Sequence, residues 1–158
     1  MAVEIERKFL VKDDSWKLNE QGEPVVGNVF RQGYLSEGVA TVRVRLEGTQ
    51  GKLTIKGRNV GMSRLEYEYS IPAKDAEEML AKLCAKPLIE KTRFLRKEGQ
   101  HTWEIDVFEG DNTGLVVAEV ELSTESEHVE LPLWVGAEVT DDARYYNVNL
   151  GKKPFKDW

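Results

Sequence analysis

Period-two alternation recurs in stretches between Val3 and Leu122, where apolar side chains alternate with ionisable ones. Successive side chains of an extended strand point to opposite sides, so the pattern predicts strands whose two faces meet different surroundings. The predicted strands are Val3–Val11, Val29–Leu35, Thr41–Glu47, Lys52–Arg58, Arg64–Ile71, Glu90–Arg96, Thr102–Phe108 and Leu115–Leu122. Turn-forming clusters separate several of them: Ser36-Glu37-Gly38, Gly48-Thr49-Gln50-Gly51, Glu98-Gly99-Gln100 and the run Gly110 to Gly114. Pro72 cannot continue a hydrogen-bonded ladder and marks a stop after Ile71. Ala76, Met79, Leu80 and Leu83 recur at helical spacing and predict a helix over Asp75–Leu83, capped by Asp75. Thr140 is placed to cap a closing helix with Asp141 and Asp142 in its first turn, and Glu125 to Leu131 suits a short turn.

Separating the two faces of each strand gives one repeated arrangement. Glu4, Glu6 and Lys8 oppose Val3, Ile5 and Phe9; Arg43 and Arg45 oppose Val42, Val44 and Leu46. Lys52, Thr54 and Lys56 oppose Leu53 and Ile55; Arg64, Glu66 and Glu68 oppose Leu65, Tyr67 and Tyr69. Lys91 and Arg93 oppose Thr92 and Phe94, Glu104 and Asp106 oppose Trp103, Ile105 and Val107, and Glu119 and Glu121 oppose Ala118, Val120 and Leu122.

A half-wet sheet with a solvated outer face explains any one such strand. It explains the set less well. The polar faces are almost purely ionised, and like signs are grouped strand by strand, which a surface shaped only for solubility avoids because neighbouring like charges repel. The alternative is a barrel whose charged faces line a wet bore while its apolar faces pack outward against helices. Bases and acids are nearly balanced, as an enclosed charged space requires, since an ion taken from water costs several kcal/mol unless it is compensated. The expected fold is mainly β (α+β): an eight-stranded antiparallel β-barrel tunnel with a few covering helices, read as a single domain over residues 1–158.

Composition narrows the function. With one cysteine, Cys84, no internal disulfide or thiolate cluster is possible, and His101 and His128 are too few for a histidine-rich metal site. Cys84 reads as a packing residue and His101, beside a turn, as solvated. The net charge of -6 argues against a protein that coats nucleic acid. No apolar run approaches a membrane span and the start carries no secretory segment, so a cytoplasmic protein is expected, either monomer or homodimer. There is no Walker loop, dinucleotide glycine fingerprint or His-Glu-x-x-His site. A bore rich in Arg and Lys suits a polyphosphate, and its carboxylates suit hard ions such as Mg²⁺ or Mn²⁺. Together they imply metal-assisted phosphoryl transfer to water.

These residues resemble the triphosphate tunnel metalloenzymes, the CYTH superfamily, over nearly the whole chain. Glu4-Ile5-Glu6-Arg7-Lys8-Phe9 fits the Glu-x-Glu-x-Lys signature, and Arg43-x-Arg45, Lys56, Arg64-x-Glu66-x-Glu68, Lys91-x-Arg93, Glu104-x-Asp106 and Glu119-x-Glu121 follow in order. The resemblance implies that Lys8, Arg43, Arg45, Lys56, Arg64, Lys91 and Arg93 grip phosphates. Lys52 joins them on face parity alone. It further implies that Glu4, Glu6, Glu119 and Glu121 hold metal, with Asp106 a further candidate, while Glu66, Glu68 and Glu104 either orient the bases or join the ligands. Glu4 or Glu6 is expected to orient the attacking water.

The short chain and Arg31-Gln32-Gly33-Tyr34-Leu35 look like the small bacterial inorganic triphosphatases, with Tyr34 a candidate for the tunnel mouth. The cyclase branch carries a His-Phe pair where Met1 and Ala2 stand, and thiamine triphosphatases tend to carry Trp near Thr41 and Val42. Many relatives have Lys where Tyr146 stands; the segment from Val139 to Asn147 is expected to plug one end, braced by Arg144. The leading expectation is hydrolysis of inorganic triphosphate to pyrophosphate and phosphate. The rivals are a nucleoside or thiamine triphosphatase, an adenylate cyclase of the same barrel, and a non-catalytic polyphosphate or nucleotide binder.

Overall fold

The computed structural model describes residues 3–158, so Met1 and Ala2 lie outside the described residues. Among the described residues nine strands form one antiparallel sheet: β1 (Val3–Val11), β2 (Gly27–Ser36), β3 (Thr41–Glu47), β4 (Gln50–Lys56), β5 (Ser63–Ile71), β6 (Ile89–Glu98), β7 (His101–Phe108), β8 (Val116–Glu121) and β9 (Val135–Glu138). Their order is β5-β4-β3-β2-β6-β7-β8-β1-β9, and β5 also pairs with β1. That last pairing closes an eight-stranded barrel, with β9 appended outside it. Closure removes the exposed ladder edges an open sheet would leave. The seam is short: Val3–Ile5 pair with Ser63–Leu65, after which β1 continues along β8 through Glu6–Leu10.

Each of the eight expected strands is present, with ends moved by a few residues. β9 was not expected; its four residues, Val-Gly-Ala-Glu, are too few to carry an alternation. Pro72 ends β5 and caps α1 (Ala73–Lys82). Asp75 therefore lies in the first turn of that helix and is not its cap. Leu83 is exposed, while Cys84 just beyond the helix is buried with Ala76, Leu80 and Val44. Gly33 permits this packing, because a Cβ there would stand 2.7 Å from the Cys84 Cβ. In the β3–β4 hairpin Gly48 has φ +58°, the left-handed conformation its turn needs.

The Thr140 cap is corrected by the structure. Asp142 caps a short 3-10 turn (Ala143–Tyr145) by accepting the Arg144 N–H, and the closing helix α2 begins later (Asn147–Lys152). The Thr140 hydroxyl instead accepts the Lys8 backbone N–H and donates to Glu138.

Helices cover only part of the exterior. The largest core packs Phe9, Trp103, Ile105, Ala118 and Val120 beneath Trp16, Leu122, Val129 and Trp134, which come from connecting segments. Trp103 stands edge-on to both Phe9 and Trp134. On β5, Leu65, Tyr67 and Tyr69 face outward and remain exposed, where no helix covers the barrel. No helix of the described residues is long and apolar enough to cross a membrane.

Candidate active site

The charged faces point into the barrel. Glu4, Lys8, Arg43, Arg45, Lys91, Asp106 and Glu119 are buried despite their charge, which is tolerable only because partners surround them. The grouping of signs by strand becomes cross-strand pairing. β6 lies beside β7, and Arg93 grips both Asp106 oxygens at 2.8 and 2.9 Å and Glu104 at 2.6 Å. Lys91 adds a second cation 2.9 Å from Asp106. β1 lies beside β8, placing Lys8 3.5 Å from Glu119. Lys56 bridges Glu4 at 3.2 Å and Glu66 at 3.1 Å.

The inward arginines of β3 and β5 are less compensated. Arg43 is 3.8 Å from Glu68, donates to the Thr54 hydroxyl, and leaves its buried Nε without a partner. Arg45 is held by Glu47 at 2.6 Å. Arg64 lines the interior cavities and forms no ion pair among the described residues. The donors with spare capacity thus collect on one side, opposite the carboxylate-rich β7 and β8.

Two connected groups of residues enclose the free space. One cavity of about 20 Å³ is bordered by Glu4, Glu6, Lys8, Arg64, Thr140 and Tyr146; the other, about 40 Å³, by Glu6, Lys8, Tyr34, Arg43, Lys56, Arg64, Lys91, Arg93, Glu119 and Asn147. Such volumes hold a few water molecules. Lys52 borders neither and bonds Ser70 at the exposed rim, so face parity placed it correctly but not its depth. Glu104 and Glu121 instead line a wide mouth of about 620 Å³ with Leu95, His101 and Glu127. His101 is half-buried there and paired with Glu127, not free in solvent as its turn position had implied.

The electrostatics follow from burial and neighbours. Burial, then Glu119 and Glu4, pushes Glu6 up to about 8. Burial lifts Glu104 to about 6 even though Arg93 pulls it down. Burial alone would raise Asp106, but Arg93 and Lys91 overcome it and hold that carboxyl well below its usual range. Burial, with Arg93 and Arg45 nearby, brings Lys91 down to about 7 against the attraction of Asp106. Lys8 goes the other way, because Glu119 and Glu6 outweigh the penalty of burying it.

A divalent cation suits this donor set. Burial first, and then the charges of Glu119 and Glu4, favour the protonated form of Glu6, and a hard cation relieves that crowding of carboxylates. Among the described residues no three such side chains already converge on one ion position, so the donors fit in kind and must draw together. Asp106 is committed to Arg93 and Lys91, which makes it a brace for the bases and not an open ligand.

Strand parity did not reveal every residue at the site. Phe30, Gln32 and Tyr34 of β2 face inward but carry no charge to mark them. Asn147, from α2, accepts hydrogen bonds from Lys91 at 3.0 Å and Gln32 at 3.3 Å. Tyr146 lies beneath the Lys8 ammonium, 5.4 Å from ring centre to nitrogen. Arg144 braces the closing segment through Asp142. That segment seals one end: Val139, Tyr145 and Leu150 pack on Ile89, Phe108 and Val117, which are inward-facing positions of the barrel strands, with Leu10 beside them.

The strands thus form a closed antiparallel barrel with an ionised, partly unsatisfied bore and a carboxylate-rich wall. The CYTH domain family profile matches residues 2–151, and the chain belongs to that family. It is 46% identical to an inorganic triphosphatase of Acetivibrio thermocellus over 100% of this chain and 99% of that one. It is 39% identical to an inorganic triphosphatase of Nitrosomonas europaea, over 93% and 95% of the two chains. The crystal structure of an inorganic triphosphatase superposes with a TM-score of 0.64 at 34% identity, covering 96% of this chain and 95% of that one. A Pyrococcus horikoshii protein at 20% identity shares the fold, with a TM-score of 0.59 over 77% and 79% of the chains.

Proposed function

We propose that this chain hydrolyses inorganic triphosphate to pyrophosphate and phosphate within the bore, acting as one functional unit in the cytoplasm and needing Mg²⁺ or Mn²⁺. The observation that carries the reading is the surplus of cationic donors on one wall: Arg64 without an ion pair and Arg43 with a buried, unpartnered Nε, both facing the same cavity as Lys8 and Lys91. A polyanion supplies the acceptors those donors lack. The names borne by the relatives at 46% and 39% identity support the same substrate.

Binding follows from side-chain reach. The cavities are small, and triphosphate enters as the Arg43, Arg64 and Lys8 heads turn onto its oxygens while Arg93 stays braced. Lys8, Arg43, Arg45, Lys56, Arg64, Lys91 and Arg93 then hold the phosphates in line and offset charge on the leaving pyrophosphate. Glu4, Glu6, Glu119 and Glu121 would hold the divalent ion, which when bound neutralises phosphate charge and favours deprotonation of water. Glu4 or Glu6 orients the attacking water, while Asp106 and Glu104 keep Arg93 fixed.

The test is phosphate release from triphosphate, ATP and thiamine triphosphate, each with Mg²⁺, with Mn²⁺ and with chelator. Rapid metal-stimulated release from triphosphate, well above the two organic substrates, is expected. Preferential turnover of either organic substrate, or release unaffected by chelator, contradicts the reading.

A further inference from the structure

Phe30 is the one large apolar side chain that β2 turns into the bore, and it is 4% exposed. The Arg45 guanidinium carbon lies 4.8 Å from the centre of its ring and that of Arg93 lies 4.9 Å away. Those arginines come from strands on either side of β2, since β2 pairs with β3 through Phe30–Glu47 and with β6 through Phe30–Lys91. The ring therefore bridges two cations that repel each other.

We propose that Phe30 is a positioning residue that sets the separation and orientation of the Arg45 and Arg93 guanidiniums for phosphate. The inference rests on the reading of the bore as a triphosphate site. A carboxylate in the same place would also hold both cations, but it would occupy N–H donors and compete with the incoming anion. An aromatic face attracts the guanidinium through its π-system and takes up none of its in-plane N–H donors. The edges of both arginines are already matched to carboxylates, Glu47 for Arg45 and Asp106 with Glu104 for Arg93. Phosphate oxygens can replace a carboxylate at an edge while the ring keeps the plane of the cation in place.

The test compares wild type, Phe30→Leu and Phe30→Tyr. Leucine keeps an apolar filling but has no π face; tyrosine keeps the face. Triphosphate binding is measured by calorimetry without added metal, and KM and kcat are measured with Mg²⁺. Phe30→Leu is expected to weaken binding and raise KM on the order of tenfold with kcat little changed, and Phe30→Tyr to restore both. Equal affinity of wild type and Phe30→Leu overturns the proposal, as does equal loss in both variants, which would make the residue a matter of shape alone. Triphosphate that binds with this pattern but is not hydrolysed upholds the role of Phe30 and overturns only the hydrolase reading. A wild type that does not bind triphosphate overturns both.

Discussion

The same inward face of the same strands does two different jobs along its length. In the middle of the bore it carries Lys8, Lys91, Asp106 and Glu119; one step further on the same parity it carries Leu10, Ile89, Phe108 and Val117. In the first set Lys8, Lys91 and Glu119 border a small polar cavity and Asp106 braces Lys91, while the second packs with Val139, Tyr145 and Leu150 into an apolar plug. Parity decides which face a residue occupies, but the residue type at each depth decides whether that face binds or seals. The two regions also fail differently, one through chemistry and the other through packing.

The largest effect should come from emptying the middle. Arg43→Ala or Lys8→Ala is expected to lower kcat/KM on the order of a hundredfold or more, as loss of a preorganised donor does. Thermal melts should stay close to wild type for Arg43→Ala, whose ion pairing is weak. Unfolded variants would erase the contrast between the two regions.

The complementary substitution is at the plug. Leu150 is fully buried there, and Leu150→Ala should cost ~2–5 kcal/mol of stability through lost contacts and a residual cavity. Denaturant unfolding measures it, and kcat of the folded fraction should fall far less than in Arg43→Ala. A loss below about 1 kcal/mol would mean the plug is dispensable.

Protonation sharpens the contrast further, because Glu6 lies in the middle. Glu6 has its pKa raised from 4.5 to about 8, so the folded state keeps a proton that the unfolded chain has already released. Metal-free stability should therefore fall as pH rises from 4.5 to about 8, and Glu6→Gln should flatten that slope. Divalent cation binding needs the carboxylate, so affinity should rise by up to about tenfold per pH unit toward that value and level off above it. Calorimetric titrations at several pH values check this; an affinity independent of pH would separate Glu6 from the metal.

The smallest effect belongs to neither region. Arg7 meets Glu138 at 2.8 Å on the surface, and Arg7→Ala should change stability by less than about 1 kcal/mol and leave turnover unaltered.

Much of this was legible because alternation reports strand faces directly. Glu4, Arg43, Lys91 and Glu119 could be assigned to one interior from parity and from the need to balance buried charge. Tertiary geometry hid the remainder. Phe30 sits inward within Val29-Phe30-Arg31-Gln32, where the apolar residue, not the charged one, takes the bore, so the alternation reads inverted. Asn147 comes from α2, outside any strand, and no periodicity points it toward Lys91. Thr140 carries the local signature of a helix cap, but the Lys8 backbone N–H reaches its hydroxyl first. Lys52 shows the limit of parity itself: its face is right and its place on the strand puts it at the rim.

The most direct measurement is a crystal structure of the protein with triphosphate and Mg²⁺. The account predicts electron density for three phosphates inside the barrel, with oxygens on Arg43, Arg64 and Lys8 and the ion on Glu4 and Glu6. Triphosphate bound only on the outer surface, with the interior ion pairs undisturbed, would contradict it.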